Sequence, residues 1–109
     1  MIELSLAESV KKLKQIFSSV KVNEKVNPTE ILISGKPVIV YAKNKCFVKI
    51  HNNIIAILPD AEVDYPYEGA RLHYILDFSD MDTVELVLNE LIAVTLPPKK
   101  KPIFAWKKS

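Results

Sequence analysis

Residues 31–58, ILISGKPVIVYAKNKCFVKIHNNIIAIL, decide the fold of this chain. Short apolar runs alternate there with pairs of residues that favour turns, a pattern that predicts three or four β-strands. Gly and Asn tolerate the positive φ angles of two-residue hairpin loops. The loops are therefore expected at three pairs: Gly35-Lys36, Asn44-Lys45 and Asn52-Asn53. The stretch predicts an antiparallel hairpin meander at the centre of the molecule.

The expected pairing places apolar side chains on both faces of this meander. Loops at the two asparagine-containing pairs would set Phe47 opposite Leu58 and Tyr41 opposite Val48, and paired residues share a face. Because side chains alternate along a strand, one face would carry Ile39, Tyr41, Cys46, Val48, Ile50, Ile55 and Ile57. The other face would carry Val38, Val40, Ala42, Phe47, Lys49, His51, Ile54, Ala56 and Leu58. The strands of a sheet with one solvent-exposed face alternate apolar and polar residues. These strands do not, so both faces are expected to be covered.

Two amphipathic helices are predicted to flank the sheet. Ser5 and Glu8 fit a capping box, and an apolar stripe of helical spacing follows them: Leu6, Val10, Leu13, Phe17, Val20. Residues 79–82 offer a cap for the second helix, which ends near Thr95 before two prolines. Its stripe comprises Val84, Val87, Leu88, Leu91 and Ile92. With one further strand at residues 71–78, the prediction is an α+β fold: a sheet of four to five antiparallel strands flanked by an N-terminal and a C-terminal helix.

The order of elements resembles, in layout alone, the amino-terminal domain of TfoX-type proteins. No motif is shared, so the resemblance implies no function. The length of 109 residues suits one compact domain. Residues 1–96 are predicted to form a single α+β domain, followed by a basic tail at residues 97–109.

Several classes of protein are excluded or disfavoured by composition. No apolar run approaches the roughly 18 residues of a membrane-spanning helix, and the N-terminus is unlike a secretory signal. Cys46 is the single cysteine, which excludes an internal disulfide, and a cytoplasmic location is expected. With two glycines in the chain, a phosphate-binding loop is ruled out. No metal, cofactor or membrane partner is expected.

The tail, PPKKKPIFAWKKS, combines lysines with two aromatic residues at alternate positions. Lysine attracts phosphates and aromatic rings stack on bases, so the tail suggests DNA or RNA binding. The residues expected to bind nucleic acid are Lys99, Lys100, Lys101, Phe104, Trp106, Lys107 and Lys108, joined by Lys49 and Arg71. The tail could equally pack on its own domain, in a dimer or on another protein.

The doubly apolar meander favours a different function, a non-enzymatic binding protein that forms a homodimer through the sheet or a helix face. Large apolar patches are unusual on a soluble monomer. The residues expected at the interface are Val38, Val40, Phe47, Ile54 and Leu58.

A catalytic alternative rests on two histidines. His73 and Asp77 are four residues apart in the predicted strand, so their side chains would lie on the same face. This suggests that Asp77 orients His73 as the general base of a small hydrolase, and His51 could join them. Asp60, Glu62 and Asp64 have the spacing of the first calcium ligands of an EF loop. Tyr65 and Arg71 stand where that loop needs glycine and glutamate, so a solvated acidic loop is expected instead.

Overall fold

The computed structural model describes residues 3–96. They form one antiparallel sheet, with a long helix before it and another after it in the sequence. In chain order the elements are α1 (Leu6–Lys14), β1 (Val20–Asn23), β2 (Thr29–Ile33), β3 (Lys36–Ala42), β4 (Lys45–Lys49), α2 (Asn52–Ile55), β5 (Val63–Asp64), β6 (His73–Ile75) and α3 (Met81–Val94). The strands lie in the order β1-β2-β3-β4-β6-β5. The predicted α+β class is confirmed, with six strands rather than four or five.

Two of the three predicted hairpins are present, each with its loop one residue earlier than expected. Lys43 and Asn44 form the β3–β4 loop with φ angles of 54° and 60°, as a type I′ turn requires. Ala42 therefore pairs with Lys45, and Tyr41 pairs with Cys46 instead of Val48. The register differs from the prediction by two residues, and an even shift leaves the paired residues of β3 and β4 on their predicted faces.

The third predicted hairpin, at Asn52-Asn53, is wrong. Here the chain leaves the sheet after β4 and enters the single helical turn α2. The imidazole Nδ1 of His51 accepts a hydrogen bond from the Asn53 amide at 3.1 Å, and the Ile54 amide donates to the His51 carbonyl at 2.9 Å. His51 is therefore the N-cap of α2, and Asn52 and Asn53 form its first turn instead of a hairpin loop.

β6 occupies the edge of β4 that the predicted hairpin would have used. Phe47 pairs with Ile75, Val48 with Tyr74, and Lys49 with His73. Residues 50–58 consequently do not form the strand that was predicted beside β4.

One sheet face, here called the helix-covered face, forms the main core. The register places on it Val20, Val22, Ile31, Ile33, Ile39, Tyr41, Cys46, Val48 and Tyr74. These residues are buried in, or packed against, one apolar cluster that also holds Leu13 of α1 and Val84, Val87, Leu88 and Leu91 of α3. The cluster therefore connects side chains of both long helices with this face of the sheet.

The helices are fixed by the expected caps and by polar contacts to the sheet. Ser5 Oγ accepts from the Glu8 amide at 3.1 Å, and Asp80 Oδ1 accepts from the Thr83 amide at 3.2 Å. Lys36 Nζ donates to the Ile92 carbonyl at 2.8 Å, which places a cation at the C-terminal turn of α3. α1 ends at Lys14, although the predicted apolar stripe continues to Val20, which begins β1 instead.

Candidate binding site on the opposite sheet face

The second side of the sheet, here called the opposite face, is amphipathic rather than uniformly apolar. The register aligns Glu30, Val40, Phe47 and Ile75 across four adjacent strands. Phe47 and Ile75 are buried but lie outside the main cluster. The same face carries the lysines and the histidine of neighbouring rows: Lys21, Lys45, Lys49 and His73. The expected second apolar face is therefore only partly present, since Ile54, Ala56 and Leu58, which were to complete it, belong to α2 and the chain after it.

A groove of about 630 Å³ runs along this face beside the connection between β5 and β6. We call it the loop groove. It is lined by Glu30, Val40, Lys49, Ile50, Tyr67, Gly69, Ala70, Arg71, Leu72 and His73. Three of its large side chains are exposed, namely Ile50, Tyr67 and Leu72. Lys49 and Arg71 are exposed as well. The groove thus offers apolar contacts together with charges of both signs.

A second groove of about 370 Å³, here called the C-terminal groove, adjoins the first. Its sheet side is lined by Pro37, Val38, Val40, Phe47, Lys49 and His51. Its other wall is formed by the end of α3 and the residues after it: Leu91, Val94, Thr95 and Leu96. Val40 and Lys49 line both grooves, so the two depressions are neighbours on this face.

Most of the predicted interface residues are buried within a single chain. Val38 and Ile54 belong to the core cluster, and Phe47 is fully buried on the opposite face. Val40 and Leu58 are half-buried. Val40 is the member of this set that lines the loop groove, whereas Leu58 packs against the core beyond the sheet.

Of the residues predicted to bind nucleic acid, Lys49 and Arg71 come together at the loop groove. Their meeting follows from register, because Lys49 pairs with His73 and Arg71 lies two residues before it. The remaining members, in residues 97–109, lie outside the described residues. The sequence analysis did not identify Glu30, Ile50, Tyr67 or Leu72 as site residues. They come together because of the path of the acidic loop between β5 and β6. The tyrosines of that loop were the one feature of the sequence that pointed to a binding surface there.

The two histidines have local partners. His73 is buried, and its Nδ1 lies 2.7 Å from the Arg71 carbonyl oxygen. A carbonyl oxygen only accepts, so Nδ1 carries the proton. Asp77 accepts from the Ser79 hydroxyl at 2.7 Å and from the Ser79 amide at 3.0 Å. The Arg71 carbonyl therefore orients the His73 ring, and Asp77 organises the turn before α3; no observation favours the hydrolase hypothesis.

The acidic loop and Cys46 take structural positions. Val63 and Asp64 form β5 at the sheet edge, and Lys43 Nζ donates to the Tyr65 carbonyl at 2.7 Å. Among residues 3–96, no three His, Cys, Asp or Glu side chains form a group that could hold a metal ion. Cys46 is buried under α1, and burial raises the pKa of its thiol to about 11 against the weaker opposing effect of a hydrogen bond with Ser9.

Comparison of the chain with protein-family models, curated proteins and solved structures finds no match. The resemblance in layout to TfoX-type proteins therefore gains no support from them. Within residues 3–96, none of the helices has the length and apolar character needed to cross a bilayer.

Proposed function

We propose that this protein is a recognition module that acts by binding, with the loop groove as its contact surface and a second copy of the chain as its partner. The observation that carries the proposal is the grouping of Ile50, Tyr67 and Leu72, three exposed apolar side chains, around one groove. Exposed apolar residues gathered in one patch mark interaction surfaces more often than scattered ones do. A cytoplasmic location is part of the same proposal.

Self-association is favoured by the mixture of charges around those residues. In a two-fold symmetric contact each surface meets its own copy, so it must supply both members of every ion pair. The loop groove carries Glu30 as well as Lys49 and Arg71. Aromatic and arginine side chains such as Tyr67 and Arg71 are enriched at the centres of protein interfaces. The proposed interface lies closer to the β5–β6 connection than the interface predicted from the sequence, and Val40 belongs to both.

The full-length chain is expected to have the mass of a dimer in size-exclusion chromatography with light scattering. Leu72→Glu should weaken the dimer by at least tenfold, about 1.4 kcal/mol, because it places a carboxylate in the apolar centre of the contact. Leu86→Glu, at an exposed position of α3 away from both grooves, is the matched control and should leave the mass unchanged. The proposal would be contradicted by a monomer mass at every protein concentration, or by equal weakening of the dimer in both variants.

Nucleic acid is the second candidate partner, and the placement of Lys49 and Arg71 beside Tyr67 supports it. Two cations could bind phosphates while the exposed tyrosine stacks on a base. The described chain ends at Leu96, on the wall of the adjoining groove, and five lysines follow in the sequence.

If single-stranded DNA or RNA binds here, its affinity will fall steeply with salt. Lys49→Ala and Arg71→Ala should each reduce the slope of log affinity against log salt by about 0.7, and removal of residues 99–109 should abolish binding without unfolding the domain. Fluorescence anisotropy of a labelled oligonucleotide measures this. Lys11→Ala on the exposed side of α1 is the control. A response that does not depend on salt, or binding that survives the deletion, would exclude this candidate.

A further inference from the structure

We propose that the C-terminal groove is the docking site of the chain's own tail, residues 97–109, held there by Phe104 and Trp106. This inference stands apart from the proposed function, which concerns the loop groove. It begins from the point at which the described chain ends. Leu96 is 80% exposed and forms part of the groove wall, so the described chain ends at the mouth of the groove.

The groove has the chemistry of a receptor for apolar side chains. Val40 and Phe47 lie on its sheet side, and Leu91, Val94 and Leu96 form its other wall. Val94 and Leu96 are both exposed large apolar residues in the described domain. A segment that settled between the sheet and the end of α3 would remove these side chains from water, at about 25 cal/mol for each Å² buried.

The tail has the length and shape to reach across this surface. Pro97, Pro98 and Pro102 favour an extended backbone, which advances about 3.1 Å per residue. Phe104 can therefore lie at any distance up to about 25 Å from Leu96, a reach that includes the groove whose wall Leu96 forms. Phe104 and Trp106 alternate in sequence, so an extended tail presents both to the same side.

Charge favours the chain's own tail over an unrelated apolar segment. The tail contains five of the 15 lysines and arginines and none of the 13 acidic residues, so residues 1–96 have ten cations against thirteen carboxylates. Glu30 lines the adjoining loop groove, and Glu68 borders the depression beyond it. Among the described residues, the C-terminal groove itself is lined by Lys49 and His51 and by no carboxylate, so the lysines of the tail would pair with carboxylates beyond the groove. Because Val40 and Lys49 line both grooves, a docked tail would also border the proposed partner surface.

Trp106 is the only tryptophan of the chain, so its fluorescence reports the tail directly. In the full-length protein we expect emission at shorter wavelength, and several-fold weaker quenching by acrylamide, than in a synthetic peptide of residues 97–109. Val40→Lys should return both values to those of the peptide, and Leu86→Lys is the matched control that should not. Phe104→Ser changes the tail alone, so it should shift the emission toward that of the peptide even if Val40→Lys disturbs folding.

The same measurement over a dilution series identifies the occupant. If the tail docks within its own chain, the emission wavelength and the acrylamide quenching will not depend on protein concentration. This holds whether light scattering gives the mass of a monomer or of a dimer. Peptide-like emission in the full-length protein would overturn the proposal. A blue shift that is lost on dilution together with a dimer mass would also overturn it, in favour of a tail donated by a second copy.

Discussion

Replacing Ile54 with Ala will lower the free energy of unfolding by about 2–5 kcal/mol, whereas Ile55→Ala will change it by less than about 0.5 kcal/mol. Ile54 is 0% exposed and belongs to the core cluster, while its neighbour Ile55 is 47% exposed. The difference follows from the helical turn α2, which points one of two adjacent isoleucines into the protein. Urea denaturation monitored by circular dichroism measures both changes.

The pair also distinguishes α2 from the hairpin that the sequence suggested. In a strand with two covered faces, adjacent residues would both be buried, on opposite sides. Similar losses for Ile54→Ala and Ile55→Ala would therefore contradict the structure and agree with the hairpin. Equal slopes of the unfolding free energy against urea in both variants would confirm that the comparison concerns the folded state alone.

The stability of the protein will fall as pH rises from about 9 to 11, because of Cys46. Burial raises the pKa of its thiol from 9.0 to about 11. Above pH 9 the unfolded chain loses this proton while the folded chain keeps it, so alkali favours unfolding. The contribution is fully present below pH 9 and is lost progressively above it. A pKa rise of this size corresponds to a total loss of about 3 kcal/mol.

Cys46→Ala is the matched variant for this effect. Lysines and tyrosines also titrate in this range, but they are common to both proteins, so the difference between the two stability curves isolates the thiol. The curve of the variant should be flatter between pH 9 and 11. In the native protein Cys46 should also react with a thiol reagent only on unfolding, since it is buried under α1. Parallel curves, or rapid reaction in the folded state, would show that the thiol is accessible.

Local patterns predicted the parts of this fold that local interactions determine. The cap at Ser5 and the apolar stripe of α3 depend on neighbours within one or two helical turns, and both are present. The β3–β4 hairpin was placed within one residue, and its faces were correct because the error in register was even. The predicted end of α1 was too late, since a stripe of helical spacing continued into the strand that begins at Val20.

The site required information that short stretches do not contain. Asn52 and Asn53 satisfy both a hairpin loop and the first turn of a helix, and the choice depends on which strand pairs with β4. That strand is β6, which arrives more than 20 residues later. Lys49 and Arg71 were singled out as cations, yet their meeting with Glu30 and Tyr67 arises from this long-range pairing and from the loop that leads into it.

The insertion of β6 between β4 and β5 has a consequence for synthesis of the chain. When residues 1–72 have been made, the strands β1–β4 can already pair with one another, but the outer backbone edge of β4 still has no neighbour. The centre of β4 is the apolar segment Cys46, Phe47 and Val48, and an apolar strand with an unpaired edge can pair with another chain. Nascent or truncated chains that stop before His73 are therefore the species most prone to aggregate, and arrival of three residues, His73–Ile75, closes that route.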